Sequence, residues 1–352
     1  MKLKYLWVVC ALFLMVKSDA QKLHFTQFEF APLVVNPALT GSFQGTVRLS
    51  GIFRDQYFGS QSQNTSGQAF QNLSLGVEYN ALRGFGKFDW IAVGLSMGNH
   101  SAGGMSIEET AGTGENRLST NVFSLNAAYH IGLGKKGNSV FSIGAQYGSY
   151  SRKIGQDAVW RSELLGGGDP AYIMSGGMND NTGYTDLSAG VTFTSRSGKN
   201  NSNLFRTGVN ITHIFTGNQT VLMSSSRDDK SIGFIAFANM ETAMGKKSSF
   251  RPALLYQQDG PFSHLEAQVK FGYLLKPEKQ ISLNYGLGIR PGESVQVLLG
   301  ADYGQLRAGI SYDLVMGGVR DAARETFELG VSYIFNIEKK PKRIPVVFCP
   351  RL

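Results

Sequence analysis

Between His264 and Tyr273 apolar and polar positions alternate without a fault. Leu265, Ala267, Val269, Phe271 and Tyr273 are apolar, and the residues between them are polar or glycine. The stretch from Thr326 repeats the pattern, with Phe327, Leu329, Val331, Tyr333 and Phe335 set against Thr326, Glu328, Gly330 and Ser332. Period-two alternation marks a strand with one apolar and one polar face. Soluble sandwiches alternate too, so one strand decides nothing. Many such strands of roughly ten residues, rich in Gly and aromatics and following an export signal, read as an outer-membrane β-barrel, apolar outside and polar in the lumen.

Alternation and turn signals together predict strands at 45–56, 68–80, 88–100, 118–130, 139–152, 184–196 and 203–215. Seven more follow at 230–243, 248–258, 263–274, 279–290, 294–303, 305–316 and 324–336. The fold class predicted is all-β, an antiparallel transmembrane barrel of about fourteen strands, an even number as single-chain bacterial barrels require. The region 153–183 has room for a further short hairpin. Connections after the first, third, fifth and seventh strands are long (57–67, 101–117, 153–183, 216–229), and those between are short and basic. Long external loops alternating with short periplasmic turns place both termini in the periplasm.

With this register Arg48, Arg54, Glu78, Asp186, Arg206, Glu266, Lys270, Arg290, Arg307, Asp313 and Glu328 point inward. Charges of both signs can pair across a narrow lumen or line water in a wide one. Fourteen strands leave room inside, and the segment before the first strand is a candidate to fill it.

The N-terminus has a basic start (Lys2, Lys4), an apolar run from Tyr5 to Val16 and a Ser18-Asp19-Ala20 exit. It reads as a signal peptide cut near Ala20, and the predicted location is the bacterial outer membrane. The run is too short for a spanning helix. Cys10 lies inside it behind Val9, the wrong context for lipid attachment. The predicted organisation is thus signal peptide 1–20, periplasmic lead-in or plug 21–44, barrel 45–336 and basic periplasmic tail 337–352.

Composition fits. Mean hydropathy of −0.12 looks soluble, as expected when half of every strand faces a polar lumen. Glycine, at 43 residues of 352, is far above the average of about 7%. The formal charge of +8 is concentrated in short turns and in the tail, which gives nucleic-acid binding little support. With Cys10 lost with the signal, Cys349 is the only thiol, so an intramolecular disulfide and a cysteine metal site are both excluded.

Motifs for chemistry are weak. Gly132-Leu133-Gly134-Lys135-Lys136-Gly137 fits a dinucleotide fingerprint in letters, but it joins two strands and opens no helix. Gly166-Gly167-Gly168-Asp169-Pro170 is turn chemistry. His24, His100, His130, His213 and His264 have no metal-ligand spacing, and no nucleophile signature is present. No enzyme activity, cofactor or metal is predicted.

The chain from Phe25 to Ser42 differs from the rest. His24 to Phe30 alternates, then Pro32 and Pro37, five residues apart, break any ladder because each lacks a backbone donor. Phe25-Thr26-Gln27-Phe28-Glu29-Phe30-Ala31-Pro32-Leu33-Val34-Val35-Asn36-Pro37-Ala38-Leu39-Thr40-Gly41-Ser42, followed by Phe53-Arg54-Asp55-Gln56-Tyr57, resembles the opening of the PorP/SprF family. The end is similar too, in Phe327 to Tyr333 and in the closing Cys349-Pro350-Arg351-Leu352. Ala31, Tyr57 and Leu352 depart from the family's usual Asn, Trp and aromatic. The middle of the chain matches only in pattern and length.

The resemblance implies an outer-membrane component of the type IX secretion system. It would support export or surface anchoring of proteins with a C-terminal sorting domain, such as gliding adhesins. The partners implied are outer-membrane lipid, the exported protein and other secretion components. The motif carries over to Phe25, Gln27, Phe28, Pro32, Asn36, Pro37, Gly41, Arg54, Gln56, Cys349, Pro350 and Arg351 as family-motif or partner-contact candidates. A passive porin or small-solute channel is the alternative. In the tail, an apolar Val346-Val347-Phe348-Cys349 cluster follows a basic run, an arrangement suited to docking on a periplasmic partner or on the barrel floor.

Overall fold

A computed structural model describes residues 24–58, 70–84, 86, 88–102, 118–134, 137–154, 181–198, 202–216, 232–260, 262–316 and 325–337. The predicted signal peptide, most of 153–183 and the tail after Ile337, with Cys349, Pro350 and Arg351, lie outside them.

The alternating stretches form fourteen strands. The first seven are β1 (Val47–Phe58), β2 (Phe70–Arg83), β3 (Trp90–Ala102), β4 (Leu118–Leu133), β5 (Ser139–Ile154), β6 (Asn181–Ser197) and β7 (Asn203–Thr216). The rest are β8 (Gly233–Met244), β9 (Ser248–Asp259), β10 (Phe262–Lys276), β11 (Ile281–Arg290), β12 (Ser294–Tyr303), β13 (Leu306–Val315) and β14 (Glu325–Phe335). Each pairs antiparallel with its chain neighbours, and β1 pairs with β14 to close the barrel. Closure leaves no unpaired edge to meet lipid, which is what a sheet in a bilayer requires.

Because the strand number is even, Val47 and Phe335 stand opposite each other at one end, beside the short turns 84–89, 134–138 and 198–202. The long connections leave from the other end. β4, β5 and β6, the longest strands, flank two of them.

The two faces sort as the alternation predicts. On β2 Leu73, Leu75, Val77 and Tyr79 are exposed, while Asn72, Ser74, Glu78 and Asn80 are buried. Outward Tyr129, Tyr273, Tyr303 and Tyr333 lie toward the short-turn end, where aromatic rings suit the lipid headgroup boundary. Register turns inward charges into cross-strand pairs. Arg48 stands opposite Glu78, Arg54 opposite Glu328 and Asp302 opposite Arg307.

The register carries a prediction. Leu329, at the middle of β14, is 49% exposed on the lipid side, and Ser332 lies on the lumen face. Leu329→Arg should cost about 2–4 kcal/mol of folding free energy in lipid, and Ser332→Gln much less. Urea titration of the two variants refolded into vesicles measures the difference, and equal losses would mean the faces are reversed.

Candidate functional site

The lumen is filled by the chain that precedes β1. Residues 24–46 alternate in sequence at their start, yet they add no strand, because β1 and β14 have already closed the sheet. They fold into three tight turns instead. Phe28–Phe30 is a 3-10 turn, Pro32–Val35 a single α turn and Pro37–Leu39 a second 3-10 turn. Pro32 and Pro37 each start a turn, where a missing N–H leaves nothing unsatisfied. Between them Asn36 caps the second 3-10 turn, its Oδ1 accepting from Ala38 N at 2.8 Å.

This plug traverses the barrel. His24 lies against His264, ring centroids 5.1 Å apart, and 3.7 Å from the carboxylate of Glu293 in the β11–β12 turn. At its other end Gly45 O accepts from Asn80 Nδ2 and Arg83 Nη2, both at 2.9 Å, beside the short turns.

A buried polar network fixes the first turn. Glu328 accepts the backbone amides of Thr26 (2.7 Å) and Gln27 (2.8 Å) and pairs with Arg54 at 2.5 Å. Thr26 Oγ1 donates to Asp313 at 2.7 Å, and Gln268 donates to the Thr26 carbonyl at 2.5 Å. Arg290 donates to Glu266 and to Glu293, each at 2.7 Å. Glu29 pairs with Lys270. Burial would push the Glu29 carboxyl up, but Lys270, then Arg307, hold it below the usual carboxylate range. Against the same penalty Arg290 keeps Glu293 far below that range.

The later turns are held by neutral donors and one further ion pair. Asn36 Nδ2 donates to the carbonyls of Val191 (3.2 Å) and Val209 (3.0 Å), and Asn210 donates to Val35 O at 3.1 Å. Gln146 donates to Leu33 O at 3.0 Å. His130, stacked on Trp90, donates from Nε2 to Thr40 O at 2.7 Å. Glu78, clamped by Arg48 at 2.7 and 2.8 Å, also accepts from Gly41 N at 2.9 Å. Side chains from β2, β4, β5, β7, β10 and β14 thus reach the plug backbone.

Inward glycines make the slot. A methyl group on Gly144 would lie 2.4 Å from Ala38 N and from Pro37 C. On Gly190 it would meet Asn36 Oδ1 at 2.2 Å, and on Gly330 the Phe30 ring at 2.4 Å. On Gly309 it would meet Gln27 Oε1 at 2.2 Å. These strand glycines permit the close approach of a second backbone, a recognised use of glycine in sheets.

The motif residues within the described chain gather in the lumen. Phe25 packs with Phe30, Ala31 and Ile52, and Phe28 packs with Val35, Leu39, Ile235, Phe237 and Leu255. Gln27, Pro32, Asn36, Pro37, Gly41, Arg54 and Gln56 are buried as well. The inward set is placed as its register predicts, Lys270 included, although its side chain is only 11% exposed and bound to Glu29. Sequence reasoning did not single out the partners Gln146, Asn210 and Gln268, nor the slot glycines. Glycine recurring at inward positions of an alternating strand was the available signal.

A cleft of about 760 Å³, including space open to solvent, remains beside the plug, where Glu29, Arg251, Lys270, Asn284 and Arg307 mix both charges. Among the described residues no group of three His, Cys, Asp or Glu is placed to hold a metal ion.

The slot predicts a specific failure. Gly144→Ala should loosen the plug by about 1–3 kcal/mol, whereas Gly183→Ala, whose methyl group would meet nothing nearer than 3.8 Å, should not. Limited proteolysis within 24–46 of the folded protein should be accelerated in the first variant alone; equal rates would remove the slot.

A family model described as type IX secretion system membrane protein PorP/SprF matches residues 17–333. No curated protein matches the chain. Among solved structures, the Pseudomonas putida toluene transporter TodX is similar at 11% identity and TM-score 0.56, covering 91% of this chain and 99% of that one. The Ralstonia pickettii toluene transporter TbuX is similar at 11% identity and TM-score 0.50, covering 87% and 94%. At such identities the likeness is one of barrel fold alone.

Proposed function

The chain belongs to the PorP/SprF family of type IX secretion system membrane proteins, and from that premise we propose that it is a plugged accessory barrel of the outer membrane. In this reading it supports export or surface anchoring of proteins with a C-terminal sorting domain, gliding adhesins among them. Its partners are that exported protein and other components of the system. It carries no catalytic activity of its own.

The observation that carries this reading is the occupied lumen. A conduit for solute needs a continuous aqueous path, and a conduit for protein needs a wider one. Here Glu328, Glu78, Asn210 and Gln146 bind the plug backbone directly. An obstruction held by that many buried bonds favours a scaffold over a pore. Phe25, Gln27, Phe28, Pro32, Asn36, Pro37, Gly41, Arg54 and Gln56 then serve the plug. Cys349, Pro350 and Arg351 are left as the motif residues that meet a periplasmic partner.

The rival reading, a small-solute channel, is favoured by the transporters that share the fold and by the cleft beside the plug. Two measurements divide them. In planar bilayers the intact protein should show no steady conductance, and a chain lacking residues 24–42 should conduct. In cells, deleting the gene should remove sorting-domain proteins from the surface. Steady solute-permeable conductance of the intact protein, with surface delivery unchanged in the deletion strain, would establish the channel.

A further inference from the structure

Among the described residues five arginines are buried on the lumen face, and four of them have a carboxylate partner. Arg48 holds Glu78 at 2.7 Å, Arg54 holds Glu328 at 2.5 Å, Arg290 holds Glu266 at 2.7 Å and Arg307 holds Asp302 at 2.6 Å. Arg206 is different. It is 0% exposed, and its Nε, Nη1 and Nη2 have no hydrogen-bond partner.

Its surroundings explain why no carboxylate answers it. Arg206 projects from β7 between Thr194 of β6 and Asn239 of β8. Of the two adjacent inward rows, one holds Thr192, Gly208 and Phe237, none of them charged, and the other holds Arg196, Leu204 and Glu241, whose carboxylate is paired with Arg251 at 3.1 Å. The Thr192 hydroxyl is itself buried and unpartnered. Above this wall lies the plug, since Asn210 on the same strand binds Val35 O, and His130, within electrostatic range of Arg206, binds Thr40 O.

A guanidinium cannot shed its proton to escape burial. An isolated buried charge is strongly unfavourable unless a counter-charge meets it. Five N–H donors in a rigid fork, with an unpartnered hydroxyl one inward row away on β6, offer donors to an anion. The place is closed by strand wall and plug, so a peptide carboxylate would have to displace the plug to enter. We propose that Arg206, with the Thr192 hydroxyl, is a binding site for a small monovalent inorganic anion of chloride size, enclosed beneath residues 36–40. The anion neutralises the one buried lumen-face guanidinium that, among the described residues, has no carboxylate partner, and so helps seat the plug.

Two measurements on the full chain test this. Crystals grown in bromide should show an anomalous peak within hydrogen-bond distance of the Arg206 guanidinium. In detergent at constant ionic strength, exchanging gluconate for chloride should raise Tm saturably, as for any ligand that binds the folded state alone. Arg206→Gln should abolish that dependence. Should this variant fail to fold, Thr192→Val serves in its place and should weaken the apparent chloride affinity by about fivefold. No bromide peak together with a chloride-independent Tm would overturn the proposal in favour of hydration alone, and a dependence retained in Arg206→Gln would put any anion elsewhere.

Discussion

The carboxylate of Glu328 meets the backbone amides of Thr26 and Gln27 and the guanidinium of Arg54 at the same time. The rest of the lumen depends on that junction. A chain segment inside a barrel brings backbone donors and acceptors into a space with little water, and each must find a partner. Glu328 supplies two acceptors at one point and so fixes where the segment begins. Arg54 faces it across the β1–β14 seam, so the bond that closes the barrel also anchors its contents. Removing Arg54 would leave the Glu328 carboxylate buried without its cation, a loss of about 3–5 kcal/mol, whereas Arg54 also has Asp313 at 3.2 Å.

From this anchor the plug follows the room that glycine leaves. Gly309 and Gly330 admit Phe30 and Gln27 on the β13–β14 side, and Gly144 and Gly190 admit Pro37, Ala38 and Asn36 on the β5–β6 side. The two prolines keep the segment from extending into a strand. Side-chain amides then serve the carbonyls that the short turns leave open, as Gln146 does for Leu33 and Asn210 for Val35. Polar wall, glycine slot and proline turns each require the other two.

Much of the barrel was legible from alternation because one rule, apolar outward and polar inward, governs every strand. The ends of β12 at Ser294 and Tyr303 match their expected positions, and β13 and β14 differ by one residue at each end. The inward charges followed from the same rule. Their pairing did not, since whether Arg48 meets Glu78 depends on turn length and shear, which a single strand does not encode. The plug's conformation was hidden for another reason. His24 to Phe30 alternates like a strand, and only the closed seam, a property of the whole chain, denies it a partner. The slot glycines looked like empty places on a polar face, although that emptiness is what they contribute.

The central claim is that residues 24–46 are a fixed part of the folded barrel. Amide hydrogen exchange on the protein in detergent micelles or nanodiscs tests it most directly. The amides of Thr26, Gln27, Ala38 and Gly41, each bonded to a buried side-chain oxygen, should be protected as strongly as those of β1 and β14. Exchange of these four at the rate of an unfolded chain, while the strands stay protected, would contradict the account.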